Sequence, residues 1–170
     1  MGSYPWPSKP IIYVIHFIFF TGVAPILIYL FSDFVALVTW EVRLDLGLLG
    51  LALGIPMVVI GILIMLYAEA IMYRYGDGTP IPFYKPPRNL LTQGIYSCTR
   101  NPMYLGTTME YMGFGLILNR LYMIIISLLI LCIAISLYTF HEVPYLRRSF
   151  GERFERYMEE TPPSSRELVV

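Results

Sequence analysis

Residues 121–140 read LYMIIISLLILCIAISLYTF, a run of 20 residues without a charged side chain. A helix needs about 20 apolar residues to cross roughly 30 Å of hydrocarbon, because each residue adds about 1.5 Å. Backbone polar groups are tolerated in lipid when they are hydrogen-bonded within such a helix. This stretch therefore predicts a transmembrane helix and an integral membrane protein.

Three other stretches have a similar character. Ile11–Phe31 and Leu46–Tyr67 contain no charged residue, whereas Pro102–Leu118 is shorter and contains Glu110. Only Asn119-Arg120 separates this shorter stretch from residue 121, so the last two spans are predicted to form a tight antiparallel helical hairpin. The pattern predicts an all-α polytopic fold with about four transmembrane helices.

The overall composition agrees with this prediction. Hydrophobic residues make up 56% of the 170 residues, and charged residues make up 14%. Soluble proteins typically carry about 25% charged residues. The formal net charge is zero, which provides no basic patch for nucleic acid. One domain over residues 1–170, embedded in the lipid bilayer, is expected, and two cysteines far apart do not predict a disulfide framework.

Positive charges are distributed unevenly between the two ends of the predicted spans. With four spans, the N-terminus, the segment after the second span and the C-terminal tail share one side of the membrane. The lysines and arginines on that side are Lys9, Arg74, Lys85, Arg88, Arg100, Arg147, Arg148, Arg153, Arg156 and Arg166. The other side has Arg43 and Arg120. This bias predicts that the N- and C-termini are both cytoplasmic.

Polar segments complete the predicted architecture. Residues 76–88, GDGTPIPFYKPPR, contain four prolines, which favour a stiff, extended loop that either walls a pocket or acts as a spacer. Pro144–Glu160 has apolar residues at helical spacing and arginines on its other faces, which predicts an amphipathic interfacial helix. Gly151 inside it is expected to mark a break. Residues 1–10, MGSYPWPSKP, lack the features of a cleavable signal peptide.

The segment before the third span contains the first candidate site. Asn101 is a good N-cap residue and Pro102 a good first helical residue, so the third helix is predicted to begin here. The free N–H groups of a helix N-terminus suit an anion, and Arg100 beside them can grip a carboxylate with two hydrogen bonds. Tyr96 and Tyr104 add aromatic faces and hydroxyls. The alternative is an ordinary capped membrane helix.

His141-Glu142 forms a second candidate at the cytoplasmic end of the fourth span. The hairpin geometry brings this end level with the start of the third span, so Arg100 and Glu142 are expected to face one site. The alternative is a plain interfacial salt bridge between them. His141 alone is more typical of a structural residue than of a catalytic one.

Glu110 is the third candidate, about 12 Å along the third helix. A carboxylate at membrane depth is costly and is therefore a functional candidate. Gly106 and Gly113 lie on the same face and are expected to leave room beside it. The alternatives are pairing with His16 in the first span, or simple protonation. No metal site is expected, because two isolated histidines and two isolated cysteines do not form a cluster.

At these residues the chain resembles the superfamily of isoprenylcysteine carboxyl methyltransferases and phospholipid methyltransferases. That pattern is Gly-x-Tyr, Arg-His/Asn-Pro-x-Tyr-x-Gly, a helical hairpin, an acidic pair, and then Leu, Phe-Gly and a Tyr-x-x-Tyr-like ending. The resemblance covers roughly residues 76–160. The matching residues are Gly94, Tyr96, Arg100, Asn101, Pro102, Met103, Tyr104, Gly106, Glu142, Leu146, Phe150, Gly151, Phe154 and Tyr157.

The resemblance implies S-adenosylmethionine bound on the cytoplasmic side, by a loop over residues 76–101 and the start of the third helix. It also implies a lipophilic or lipidated acceptor that reaches the site from the bilayer. Carried over position by position, the residues implied to line the cofactor are Arg88, Leu91, Gly94, Tyr96, Arg100, Asn101, Pro102, Tyr104 and Glu142.

The chemistry of the acceptor decides which catalytic groups are needed. His141 replaces one carboxylate of the acidic pair, and Tyr138-Thr139-Phe140 lacks the arginine that the isoprenylcysteine enzymes carry there. An ammonium acceptor has a pKa near 10 and must lose a proton to a base. Glu110, His141 and Glu142 suit that need and are the predicted catalytic residues. A phospholipid-type amine is therefore slightly favoured over an isoprenylcysteine-like carboxylate or a thiol.

Two other functions stay open from the sequence. Membrane sterol reductases have a similar C-terminal motif and hairpin but bind NADPH, and they are usually much longer chains. A non-enzymatic membrane protein that keeps the same scaffold is the third interpretation. Bound S-adenosylmethionine would count against both.

Overall fold

A computed structural model describes residues 9–39, 44–80 and 88–161. These residues form helices and turns without a β-strand, which confirms the all-α prediction. The helices are α1 Lys9–Ile18, α2 Ala24–Thr39, α3 Gly47–Tyr75, α4 Pro102–Ile117, α5 Leu121–Leu137, α6 Val143–Phe150 and α7 Glu152–Glu160. π-Helical turns at Phe19–Val23 and Tyr138–Glu142 join α1 to α2 and α5 to α6, and a 3₁₀ turn covers Gly94–Ser97.

Three helical stretches of the described chain are long and apolar enough to cross a membrane, namely Lys9–Thr39, Gly47–Tyr75 and Leu121–Phe150. Many of their apolar side chains point outward; Leu48, for example, is 83% exposed. The prediction of an integral membrane protein is confirmed. α4 has 16 residues and spans about 24 Å, so the fourth crossing stays a prediction.

The contact between α3 and α4 is so close that their backbones touch. A Cβ atom at Gly61 would lie 2.5 Å from the carbonyl oxygen of Gly106, and one at Gly54 would lie 2.6 Å from that of Gly113. Rising numbers on α3 meet falling numbers on α4, so the two helices are antiparallel. Small residues at this spacing allow such an approach between membrane helices, which explains why α3 and α4 carry glycine at these positions.

The turn after α4 returns the chain to the level at which α3 begins. The side-chain oxygen of Asn119 accepts a hydrogen bond from the backbone N–H of Leu46 at 3.0 Å. Arg120 forms an ion pair with Asp33 of α2 at 2.6 Å. These contacts place the start of α3, the end of α2 and the start of α5 at one end of the bundle, and the short turn confirms the predicted hairpin.

Three spans extend beyond their predicted ends, the last being Leu121–Phe150 instead of 121–140. The first helical stretch is Lys9–Thr39 instead of 11–31, and the second is Gly47–Tyr75 instead of 46–67. The predicted second span ended before Glu69, because a charged residue usually marks the membrane boundary. Its carboxylate is instead buried against a histidine of α1, and this partner allows the helix to continue.

The tail is not the single interfacial helix predicted over Pro144–Glu160. α6 continues α5 through the π-helical turn, and the chain then bends at Gly151, whose φ of +52° suits glycine. The predicted break at Gly151 is confirmed. α7 folds back onto the bundle, and its Phe154 is completely buried beside Tyr138 and Val143.

The proline-rich loop is described in part, because residues 81–87 lie outside the described ranges. Gly78, Thr79 and Pro80 before that gap are buried. The hydroxyl of Tyr13 on α1 donates a hydrogen bond to the carbonyl oxygen of Gly78 at 3.3 Å. The start of the loop is therefore packed against α1.

We expect Gly61→Ala to lower stability by about 1–3 kcal/mol, the usual effect of adding a methyl group to a filled site. The added carbon would meet backbone atoms of Gly106 and Glu110, which cannot move as a side chain does. Gly22→Ala is the matched control, because no atom lies within 4 Å of the Cβ position there. Thermal unfolding in detergent measures the effect, and equal midpoints for the two variants would contradict the backbone contact.

Candidate functional site

A cavity of about 690 Å³ lies at the end of the bundle opposite the Arg120–Asp33 ion pair. This volume is within the range of about 300–1,000 Å³ that small-molecule sites occupy. Both π-helical turns and the start of α4 contribute to its walls. The lining residues are His16, Phe20, Met65, Met72, Thr79, Pro80, Asn89, Leu90, Leu91, Tyr96, Arg100, Asn101, Pro102, Met103, Tyr104, Thr107, Tyr138, His141, Glu142, Tyr145, Leu146 and Tyr157.

Most of the site residues proposed from the sequence meet in this cavity. They come from two regions about 40 residues apart, which the α4–α5 hairpin brings together. The ones that line it are Leu91, Tyr96, Arg100, Asn101, Pro102, Tyr104, His141 and Glu142. Their individual roles toward a ligand stay predictions.

Two residues implied as cofactor contacts lie outside the cavity wall. The Arg88 side chain is 82% exposed and lies 3.9 Å from Asp77. Gly94 has a φ of +61°, and a Cβ atom there would lie 2.5 Å from the Cδ1 atom of Ile71. The structure thus accounts for glycine at position 94 by its backbone conformation and by close packing against α3.

Glu110 also lies away from the cavity wall, completely buried on α4. Its two carboxylate oxygens have no hydrogen-bond partner among the described residues. The expected room beside it is absent, because Gly106 and Gly113 on that face lie against the α3 backbone. The alternative of a pair with His16 is wrong, since His16 pairs with Glu69 of α3. A catalytic role for Glu110 stays a prediction.

The start of α4 forms one wall of the cavity. α4 begins at Pro102 with Asn101 at the N-cap position, as predicted, although the Asn101 side chain makes no capping hydrogen bond. The first N–H groups of a helix have no acceptor within the helix, and Met103 and Tyr104 of this first turn line the cavity. The wall therefore presents the positive end of the helix dipole.

Arg100 connects this wall to α7. Its Nε atom donates to the carbonyl oxygen of Thr161 at 2.9 Å, and its Nη2 atom donates to that of Met158 at 2.6 Å. A cation at a helix C-terminus is favourable because the last carbonyl groups carry partial negative charge. The Tyr157 hydroxyl donates to the carbonyl oxygen of Tyr96 at 2.7 Å. These bonds hold α7 across the cavity.

Glu142 provides a carboxylate beside the start of α4. It ends the π-helical turn Tyr138–Glu142, and its Oε1 atom accepts a hydrogen bond from the Tyr104 hydroxyl at 2.9 Å. π-Helical turns are frequent at functional sites, because the inserted residue changes the direction of nearby side chains. Arg100 and Glu142 line one cavity, as the hairpin geometry predicted.

Tyr96 contributes a buried hydroxyl that has no hydrogen-bond partner in the described part of the chain. Burial raises the pKa of this phenol well above its usual value. Tyr96 is therefore a neutral hydrogen-bond donor at any physiological pH. An unpaired buried donor is costly, so a polar ligand atom beside it would be stabilised.

Glu69 was not among the predicted site residues, although it lies behind one wall of the cavity and pairs with the lining residue His16. Both are ionisable residues within apolar helices, and such residues are functional candidates by default. The predicted second span ended at Tyr67, so Glu69 was not counted as an ionisable residue inside a membrane helix. No group of three or more His, Cys, Asp or Glu side chains in the described ranges is arranged to hold a metal ion.

A comparison with family models matches the chain to the phospholipid methyltransferase family over residues 49–153. This region exceeds half of the chain and contains the α4–α5 hairpin, the segment before it and the π-helical turn that carries Glu142. Searches of curated proteins and of solved structures found no match. The chain belongs to the phospholipid methyltransferase family, a family of membrane methyltransferases.

Proposed function

We propose that the protein transfers a methyl group from S-adenosylmethionine to an amine headgroup of a membrane phospholipid. The family match over residues 49–153 is the observation that carries this proposal. The match includes most of the residues that line the cavity. In this proposal the cavity opens to the cytoplasmic side, where both termini lie.

The cavity has groups that suit each part of S-adenosylmethionine. The N-terminus of α4 suits its carboxylate, and Glu142 can accept hydrogen bonds from ribose hydroxyls. Met65 and Leu91 provide apolar surface for the adenine ring. The aromatic face of Tyr104 suits a positively charged sulfonium. When bound, S-adenosylmethionine supplies an electrophilic methyl group.

The protein's own part is to hold the two reactants together and to exclude water. Correct positioning of reactants can contribute about 7–11 kcal/mol to catalysis. The Tyr104–Glu142 hydrogen bond fixes one wall, and the bonds from Arg100 fix α7 across the cavity.

The charges around the cavity favour an amine over a carboxylate acceptor. A carboxylate acceptor needs a cation to bind it. Among the described residues that line the cavity, Arg100 is the one arginine and there is no lysine. Two of its nitrogen atoms already donate to α7. His16, His141 and Glu142 line the same space, and these groups suit an ammonium that must lose a proton.

We expect saturable binding of S-adenosylhomocysteine in a calorimetric titration of the detergent-purified protein, and no binding of NADPH under the same conditions. The described lining of the cavity contains one carboxylate and one helix N-terminus. It lacks the cluster of cations that would bind the 2′-phosphate of NADPH. Binding of NADPH alone would favour the reductase, and binding of neither would contradict both enzymatic functions.

Glu142→Gln is expected to weaken S-adenosylhomocysteine binding about tenfold. Hydrogen bonds to a charged group contribute about 1.5–3 kcal/mol, and 1.4 kcal/mol corresponds to a factor of ten. Glu152→Gln is a matched control, because Glu152 is exposed at the start of α7. Equal affinities of the two variants, measured by the same titration, would remove Glu142 from the site.

Methyl transfer to vesicles that contain an ethanolamine phospholipid should be detected with labelled S-adenosylmethionine. An isoprenylated cysteine in the same vesicles should accept at least tenfold less label, because its carboxylate would lie beside Glu142 without a free cation. Label recovered as a base-labile ester on the isoprenylated cysteine would reverse the choice of acceptor while preserving the methyltransferase.

A further inference from the structure

His16 lines the cavity, but the buried pair that it forms with Glu69 has no individual role in the proposed function so far. The Nδ1 atom of His16 lies 2.5 Å from the Oε1 atom of Glu69, and the two side chains are 10% and 8% exposed. Buried ionisable groups inside apolar helices are expensive. Their pairing lowers that expense, but two apolar side chains would remove it entirely.

The pair is oriented toward the cavity. His16 lines it together with Phe20 and Met65, whereas Glu69 lies behind His16 on α3. The ring centroid of Phe20 lies 4.5 Å from that of His16. The π-helical turn Phe19–Val23 begins three residues after His16.

With Glu69 ionised, the hydrogen bond selects one tautomer of the imidazole ring. A carboxylate is an acceptor, so the Nδ1 atom of His16 carries the proton in this bond. The Nε2 atom then holds the lone pair and can accept a proton. A carboxylate behind a histidine also stabilises the imidazolium that forms, and Glu69 occupies that position.

We infer that His16 is the general base that removes a proton from the ammonium group of the acceptor, and that Glu69 is its positioning residue. This inference rests on the proposed function. The N–H bond of the acceptor breaks, the proton passes to the Nε2 atom, and the electron pair stays on nitrogen. That pair forms the bond to the methyl carbon, while the pair of the breaking carbon–sulfur bond stays on sulfur. His16 then returns its proton to water.

The size of the effect follows from the acceptor. A lysine-like amine has a pKa near 10, so about one molecule in a thousand is unprotonated at pH 7. A positioned base typically contributes a factor of about 10²–10⁴. Without it, the reaction depends on the free amine, whose fraction rises tenfold per pH unit below its pKa.

Several other charged or titratable groups share this space. Tyr13 lies one turn before His16 on α1, and Glu69 faces His16 from α3. The groups across the cavity are Tyr96, Arg100, Tyr104, His141 and Glu142. Of these, His141 is the other histidine, so it is the residue against which His16 must be compared.

The test is the pH dependence of kcat/KM for full-length His16→Gln in vesicles of ethanolamine phospholipid. At pH 7 we expect a loss of about 10²–10⁴ relative to the unchanged protein. The deficit should shrink about tenfold per pH unit up to pH 9.5, because the free amine replaces the base. A purely structural defect would instead reduce activity by the same factor at every pH, and this result would overturn the inference.

Two further variants protect the test against misfolding. His16→Gln combined with Glu69→Gln leaves a neutral buried pair and should show the same pH-dependent deficit. Tyr13→Phe removes a hydrogen bond of the same helix to Gly78 and should leave the shape of the profile unchanged. If the shrinking deficit appears in His141→Gln and not in His16→Gln, the base is His141 and the inference is wrong.

Ligand binding separates this inference from the proposed function. His16→Gln should bind S-adenosylhomocysteine as tightly as the unchanged protein, because the base faces the acceptor. Absence of that binding in the unchanged protein would contradict the methyltransferase itself. Normal binding and turnover with a constant deficit in His16→Gln would contradict only the role of His16.

Discussion

The structure depends on the contact between the backbones of α3 and α4. Glycines at 54 and 61 face glycines at 113 and 106, and a Cβ atom at any of the four would lie 2.5–2.8 Å from a backbone carbonyl oxygen of the facing helix. Lipid tails are as apolar as leucine, so burial alone does not drive membrane helices together. Close van der Waals contact replaces it here. This contact sets the position along α3 at which α4 begins.

The position of α4 along α3 determines which residues line the cavity. The N-terminus of α4 comes to lie beside the last turns of α3, where Glu69 meets His16. The short turn at Asn119-Arg120 sends α5 back to the same level. Glu142 then reaches Tyr104 through a π-helical turn. Groups from four helices therefore converge at one end of the bundle.

Much of this arrangement could be predicted from the sequence. Charge-free runs indicated the helices, Asn101-Pro102 located the start of α4, and the short turn located Glu142 opposite Arg100. Hydropathy could not show that Glu69 lies within α3. Its buried carboxylate is tolerated there because it pairs with His16, which is 53 positions away in the sequence. Nor could spacing distinguish a glycine face that leaves room beside Glu110 from one filled by α3.

The hold of Arg100 on the last carbonyl groups of α7 also bears on biosynthesis. The cavity wall includes His16 near one end of the described chain and Tyr157 near the other. A partly synthesised chain that has inserted its first helices therefore lacks most of the cavity wall. Assembly of the cavity must follow insertion of the α4–α5 hairpin and synthesis of α7.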